Sequence, residues 1–387
     1  MSARFIRQGW CPGALRPMES GDGLVVRIRP FGGRLDRAQV AGIAQAAQTH
    51  GNGLIELTSR ANLQLRGVSP ASHPALIAQL RALGVIDADA QAEARRNLLL
   101  SPFGDEAGDA LARALTAALP AAPALPAKFG FAIDAGPAPV LGDVSADIRL
   151  ERAVGGRLIL RCDGLSHGAP VTGADAAPAA VALARWFVQA GGICDGRGRM
   201  AALIATGARP RGWLAPRLAP APAAAPAAAP APAAPLPGLR PEGALIGLAF
   251  GSISAPTLLA LAPLGDMRLT PWRMLLIEGL GQMPGLPGLI TKPDDPLLRV
   301  AACAGLPACR QAQRPVRELA RKLAPQVPPG RVLHVSGCAK GCAHPRPADV
   351  TLAATQQGFD LIISGRATDP AAASGLADDQ IDLKEYF

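Results

Sequence analysis

The chain has 387 residues, 49% hydrophobic and only 18% charged, which gives it apolar material for several cores and excludes a disordered chain. Its formal net charge is +9, an excess that suits nucleic acid, an anionic membrane or a polyanionic small molecule. One Tyr, four Trp and nine Phe, with no Lys/Arg run interleaved with aromatics, exclude a stacking platform for nucleic acid. Arg far outweighs Lys, and Arg is the residue that grips carboxylates in a two-pronged way.

From the N terminus, residues 1–18 carry Arg4, Arg7, Pro12 and Arg16 but no apolar h-region, so the chain reads as cytoplasmic. Residues 23–29 (GLVVRIR) predict a strand. Asp36 is placed to cap a helix over 37–49, which Gly51 ends. Residues 54–58 and 63–66 predict two strands joined by a turn at 59–62, and 73–83 a helix closed by Gly84. A similar order recurs: a strand over 244–250, a helix over 255–262, then strands over 267–270 and 273–278. Each copy is followed by a longer mixed segment, so a duplicated architecture is expected. Between the copies, residues 216–237 alternate Ala and Pro. Pro lacks the donor and fixes φ, so this stretch predicts an extended, exposed linker. The most apolar stretch, 244–264, is broken by Gly251, Ser252, Ser254, Pro256 and Pro263, which fits strand, turn and helix rather than a membrane span.

Seven cysteines, an odd number mostly in close pairs, point in such a chain to metal binding rather than disulfides. Cys303 and Cys309 frame CAGLPAC, and Cys338 and Cys342 frame CAKGC. The second pair is spaced i, i+4, so a helical turn would present both thiolates on one face. Gly337 and Gly341 leave room for a bulky inorganic core. Four thiolates in two close pairs suit an iron–sulfur cluster. Structural zinc, whose ligand pairs usually enclose two to four residues, is the rival. Cys11, Cys162 and Cys194 are isolated and read as small buried residues, with Cys11 the one of them that glycines bring nearest a site.

The segments CAGLPAC and SGCAKGCAHP resemble the cluster-binding motifs of the sulfite and nitrite reductase superfamily. The resemblance implies a [4Fe–4S] cluster on Cys303, Cys309, Cys338 and Cys342, bridged in sirohaem enzymes through the last of them. It also implies an α+β fold of duplicated ferredoxin-like half domains with two mixed α/β cluster-and-tetrapyrrole modules. The corresponding boundaries are 1–84 for the first half domain with its N-terminal segment, 85–215 for the first module and 216–238 for the linker. The second half domain is 239–290, and the second module, carrying the cluster, is 291–387. LTSRANLQLRGV, RRNLLLSP and LPAKFGFAID resemble the segments that grip tetrapyrrole carboxylates, which points to Arg60, Arg96 and Lys128. A second lysine of that pattern is replaced by Gly130, so one clamp on ordinary sirohaem is missing.

GWCPGALRPMESGDGLVVRIRP, RLTPWRMLLIEG and GCAKGCAHP are similar to a narrower, oxygen-dependent family, the precorrin-3B synthases of aerobic cobalamin synthesis. That resemblance implies a monooxygenase hydroxylating precorrin-3A at C20 with formation of a γ-lactone. It implies precorrin-3A and O2 as partners, a non-haem iron beside the cluster, and an external NAD(P)H-dependent electron donor. The alternatives are a sirohaem-dependent sulfite or nitrite reductase and a non-catalytic protein that binds cluster and tetrapyrrole. Arg27 and Arg29 alternate with Val26 and Ile28 and fit either the polar face of a strand or the site. His344 reads as structural, with ligation of a non-haem iron as its other reading, and His334, flanked by apolar residues, reads as a satisfied core histidine. GLGQMPG at 279–285 has the wrong spacing for a dinucleotide loop, so neither NAD nor flavin is expected on this chain.

Overall fold

The computed structural model describes residues 11–136, 138–153, 156–210 and 234–387. Of the predicted linker, residues 216–233 lie outside this set, as do residues 1–10 of the first half domain. Among the described residues no helix is long and apolar enough to cross a membrane.

The predicted elements of both copies form, with ends shifted by a residue or two. The first helix runs Arg37–His50, and its start is a reciprocal cap. Asp36 Oδ1 accepts the Gln39 amide at 2.8 Å while Gln39 Oε1 accepts the Asp36 amide at 3.1 Å. Val40, Ile43, Ala44 and Ala47 give the helix its buried face. It covers an antiparallel sheet ordered Met18–Ser20, Gly23–Ile28, Leu63–Val68, Leu54–Leu57, Ser252–Ser254. Period-two alternation turns Val26, Ile28, Ile55 and Leu65 into the core. The fifth strand of this sheet belongs to the second copy. The second copy builds its own sheet, ordered Gly238–Arg240, Gly243–Leu248, Met274–Glu278, Met267–Leu269, Arg34–Leu35, and its fifth strand comes from the first copy. Each half thus extends the sheet of the other by one short edge strand, which ties the two together. One core holds both halves, from Val40 and Ile43 to Leu258, Leu261 and Ile277.

The two longer segments each carry a five-stranded mixed sheet of one topology. In the first, Leu98–Leu100, Phe131–Asp134 and Ile148–Arg152 are parallel, and Leu158–Cys162 and Ala169–Pro170 return antiparallel. In the second, Val300–Ala302, Leu333–Ser336 and Ala348–Ala354 are parallel, and Phe359–Gly365 and Ala373–Leu376 return antiparallel. The registers match as well: Leu98 pairs with Phe131 as Val300 pairs with Leu333. Asp147 Oδ2 accepts the Gly130 amide, and Asp349 Oδ2 accepts the Val332 amide, each at 2.9 Å. This correspondence places Ser101 where the second module has Cys303, and Ala132 where it has His334. Helices Glu106–Ala118 and Gly173–Gln189 bury the first sheet around Phe131 and Phe187, while Arg317–Leu323 packs on the second.

Candidate functional site

The sheet topology of the second module brings its two cysteine pairs together. Val300–Ala302 and Leu333–Ser336 are parallel neighbours, so Cys303 and Cys338 leave the same end of the sheet. The loop after Cys303 folds back through backbone bonds from Cys309 to Gly305 at 2.8 Å, Leu306 to Arg314 at 3.1 Å and Gln313 to Gly337 at 2.7 Å. Cys303, Cys338 and Cys309 all act on the Cys342 thiol. The hydrogen bond with Cys342 pulls the Cys303 thiol down to about 6 against its burial, with help from the Gly337 and Gly305 amides. The Gly337 N–H donates to Cys303 Sγ at 3.1 Å. The same bond and burial push Cys342 up, so this pair shares one proton. Burial also pushes Cys338 up.

Cys338 and Cys342 do not sit on the helical turn that their spacing predicts. Gly341 takes φ +60°, a left-handed conformation that stops a helix from starting there. At Gly337 a Cβ would meet Ala312 Cβ at 2.8 Å and Cys303 Sγ at 3.4 Å, so only glycine lets this backbone lie against the thiols. Among the described residues no three His, Cys, Asp or Glu side chains close around a single ion.

One rung of the first half-domain sheet joins this module to a group of arginines. Arg27, Gln64, Glu56 and Ser252 are cross-strand neighbours. Arg27 donates twice to Gln64 Oε1, at 2.7 and 3.2 Å, and Gln64 hydrogen-bonds to Glu56. Glu56 receives Arg317, which also donates to the Cys303 carbonyl at 3.2 Å and Ser252 Oγ at 3.3 Å. Burial would push the Glu56 carboxyl up, but Arg317 and Arg66 outweigh it and hold the group below its ordinary value. Arg66 pairs with Asp22 at 2.8 Å and reaches the Ala308 carbonyl at 2.5 Å, fixing the residue beside Cys309.

At the other end of the rung Arg27, Arg29 and Arg60 lie together, with Glu93 and Asp87 offsetting Arg29 and Asp147 offsetting Arg60 in part. Burial pushes Arg27 down to about 10, and Arg29 and Arg60 depress it further. Burial likewise lowers Arg29 and Arg60. Arg29 is 8% exposed, and its Nε has no partner. Cys11 hydrogen-bonds to Arg27 and acts on all three guanidinium groups. Arg199, paired with Asp147 at 2.9 Å, lies near Arg60. Buried positive charge of this kind favours an anion that supplies the missing partners.

Residues 16–83 match the family described as the nitrite/sulfite reductase ferredoxin-like half domain. A precorrin-3B synthase from Sinorhizobium sp is 32% identical over 408 aligned residues, covering 94% of this chain and 84% of that protein. The chain belongs to the precorrin-3B synthase family. It is therefore an enzyme, of the oxidoreductase class. The NirA protein of Mycobacterium tuberculosis superimposes with a TM-score of 0.66 over 89% of this chain and 74% of that one, at 19% identity. That likeness establishes the α+β fold with ferredoxin-like half domains.

Within this precorrin-3B synthase fold the predicted anion-binding residues stand in different places. Arg60 belongs to the arginine group, and its Nη2 donates to the Lys128 carbonyl at 3.0 Å. Lys128 joins it through its backbone, with an exposed side chain. Arg96 is buried elsewhere, held by Asp87 through two bonds of 2.8 Å and lying 3.9 Å over the Phe31 ring. It also donates to the Arg29 carbonyl at 2.6 Å, so it orients Arg29 from within the fold. The loss of the second lysine at Gly130 is built into the packing: a Cβ there would lie 2.7 Å from Asn97 Nδ2. Cys162 is buried as expected, whereas Cys194 is exposed because it sits in the turn bridging to Arg197. His334 is fully buried as expected, but neither ring nitrogen has a partner. Glu56, Arg317 and Arg199 escaped the sequence reading altogether.

Arg27 allows a direct check of this electrostatic picture. A cation whose folded value lies at about 10, below the ordinary 12.5, is penalised by folding wherever it is charged. The penalty is complete at neutral pH and fades as pH rises through 10. Arg27→Gln should therefore raise the melting temperature of the ligand-free protein at pH 7 while weakening tetrapyrrole binding. A lower melting temperature with unchanged binding would contradict the assignment.

Proposed function

We propose that this chain hydroxylates precorrin-3A at C20 with formation of the γ-lactone, as a monooxygenase using O2 and two electrons. One oxygen atom enters the macrocycle, and the other leaves as water with two protons. The observation that carries the reading is the rung Arg27–Gln64–Glu56–Arg317, which sets a group of buried arginines beside four mutually interacting thiols. The substrate is an acidic tetrapyrrole, and that group offers what its carboxylates require. Arg27, Arg29 and Arg60 bind them, Lys128 adds an exposed ammonium at the rim, and Arg96 acts through Arg29. Each charge-assisted bond contributes about 1.5–3 kcal/mol. Several together fix the orientation of the macrocycle, which is what selects one meso carbon.

The donor set fits a [4Fe–4S] cluster on Cys303, Cys309, Cys338 and Cys342. Four thiols meet, a glycine amide donates to one sulfur, and Gly337 and Gly341 keep side chains out of the space. When bound, the cluster supplies single-electron transfer. Electrons come from a separate NAD(P)H-dependent donor in the cytoplasm, and a non-haem iron accompanies the cluster.

The test divides one anaerobically reduced sample. One part receives precorrin-3A and 18O-labelled oxygen, followed by mass analysis; the other receives sulfite or nitrite, followed by electron consumption. The expected result is one labelled atom in the product and no anion-dependent turnover. Rapid anion reduction without label would assign the chain to the reductases, and silence in both with tight tetrapyrrole binding would remove the oxygen-using reading.

A further inference from the structure

His334 occupies a position for which the core has no need of a polar group. It stands in the middle strand of the second module, paired with Ala301 and Thr351, and is 0% exposed. Neither Nδ1 nor Nε2 has a hydrogen-bond partner. An orphaned buried polar group costs about 1–3 kcal/mol, and native cores rarely keep one without a use. The internal duplication supplies the control. The equivalent position of the first module, fixed by the matching registers, is Ala132, and that sheet is otherwise built alike.

A second imidazole lies against the first. The rings of His334 and His344 have centroids 5.8 Å apart and planes inclined by 55°. A metal–nitrogen bond of about 2.1 Å puts each imidazole centroid roughly 3.2 Å from the ion, so two rings on one ion stand about 5–6 Å apart. His344 Nε2 contacts the Pro347 carbonyl at 3.3 Å. A carbonyl only accepts, so Nε2 carries the proton and the Nδ1 lone pair is free. This is the outer contact that typically orients a ligating histidine. The turn holding Cys342 passes over the His334 ring, with Cε1 3.6 Å from where a Cβ on Gly341 would sit. Arg273 anchors that turn through the Ala343 carbonyl at 2.9 Å.

The geometry points to a two-imidazole site on His334 and His344 for a divalent first-row transition ion, adjacent to the Cys342 turn. Among the described residues no third His, Cys, Asp or Glu joins the pair. The other coordination positions are therefore left to solvent and small exogenous ligands. Such an ion would stand within the same module as the four thiols. The inference rests on the oxygen-using reading given above, for which it supplies the residues of the non-haem iron.

The experiment uses the full-length protein, isolated anaerobically with its cluster oxidised and hence EPR-silent, and titrates it with Co(II). One equivalent should bind and give a high-spin Co(II) signal with 14N modulation from imidazole. His334→Ala and His344→Ala should each weaken Co(II) binding by ~10-fold or more, with the EPR signal of the subsequently reduced cluster unchanged. His334→Ala is expected to fold, since Ala132 fills the equivalent place. His344→Ala, on a partly exposed turn, serves independently. Unaltered Co(II) affinity in either folded variant, or a Co(II) signal without nitrogen modulation, would overturn the site. Co(II) binding as expected without label incorporation from oxygen would instead leave the site standing and remove the monooxygenase reading.

Discussion

Cys338→Ser is expected to abolish the low-temperature EPR signal of the proposed four-iron cluster in its reduced state, and with it all turnover. Serine keeps the shape of the turn but lacks the thiolate on which cluster iron depends. Among the described residues no spare thiol stands nearby. The remaining cysteines are Cys11 among the arginines, Cys162 in the first-module core and Cys194 on an exposed turn. Burial pushes the Cys162 thiol up to about 12, which keeps it protonated and inert. Cys162→Ser and Cys194→Ser should therefore leave the signal intact, and Cys11→Ser should affect only tetrapyrrole binding. Cys338 is only partly buried and contributes to no apolar core, so the variant should keep the circular dichroism of the parent. A normal four-iron signal in Cys338→Ser would remove that residue from the ligand set.

What could be read from the sequence tracks how local each determinant is. The Arg37–His50 helix carries its own cap in Asp36 and Gln39, and the half-domain strands are short apolar or β-branched runs such as GLVVRI, so both were legible. Ser252–Ser254 and Arg34–Leu35 are strands only because the opposite half offers an edge, and no local pattern encodes that. The cysteines declared themselves by identity and spacing, but their turn did not, since Gly341 overrides the helical period. Arg60 and Arg96 look alike as residues in matching segments. Asp87, nine positions earlier, neutralises Arg96, whereas nothing acidic pairs with Arg60 in that way. His334 sits between Leu333 and Val335 and so reads as core; its missing partners exist only in three dimensions.

The duplication explains why one module carries the thiols and the other does not. Where the second module has Cys303, the first has Ser101, and Asp134 ends the strand where Ser336 ends its counterpart. Ser101 Oγ and Asp134 Oδ1 are buried without partners, and burial raises the Asp134 carboxyl. The same strand ends therefore remain polar in both modules, but only one set has the soft donors that iron requires.

The second large effect should come from a residue that touches neither thiol nor substrate. Glu56 is the carboxylate on which the half-domain sheet and the second module meet, receiving Arg317 from the module and lying 3.7 Å from Arg66. Its side chain is 12% exposed, with Arg66 at 6% and Arg317 at 17%. Glu56→Ala would leave the buried Arg317 guanidinium without its carboxylate and Arg66 with Asp22 alone, and breaking such a buried pair typically costs about 3–5 kcal/mol. The damage has a direction. Arg317 holds the Cys303 carbonyl, so the loop bearing Cys303 and Cys309 loses its anchor at Cys303, while Arg66, still paired with Asp22, keeps the Ala308 carbonyl. Glu56→Ala should therefore lower the melting temperature and speed the bleaching of the cluster in air. The pH dependence follows from the depressed carboxyl. A depressed acid contributes stability that is present above its ordinary value of 4.5 and is lost as pH falls through the folded value. The wild type should thus loosen at this interface on acidification, and Glu56→Ala should lack that step. Glu56→Ala combined with Arg317→Ala should cost less than the sum of the two, because the second change removes a charge that the first left unpaired. Strict additivity, with bleaching at the wild-type rate, would show that the two units are held together by something other than this ion pair.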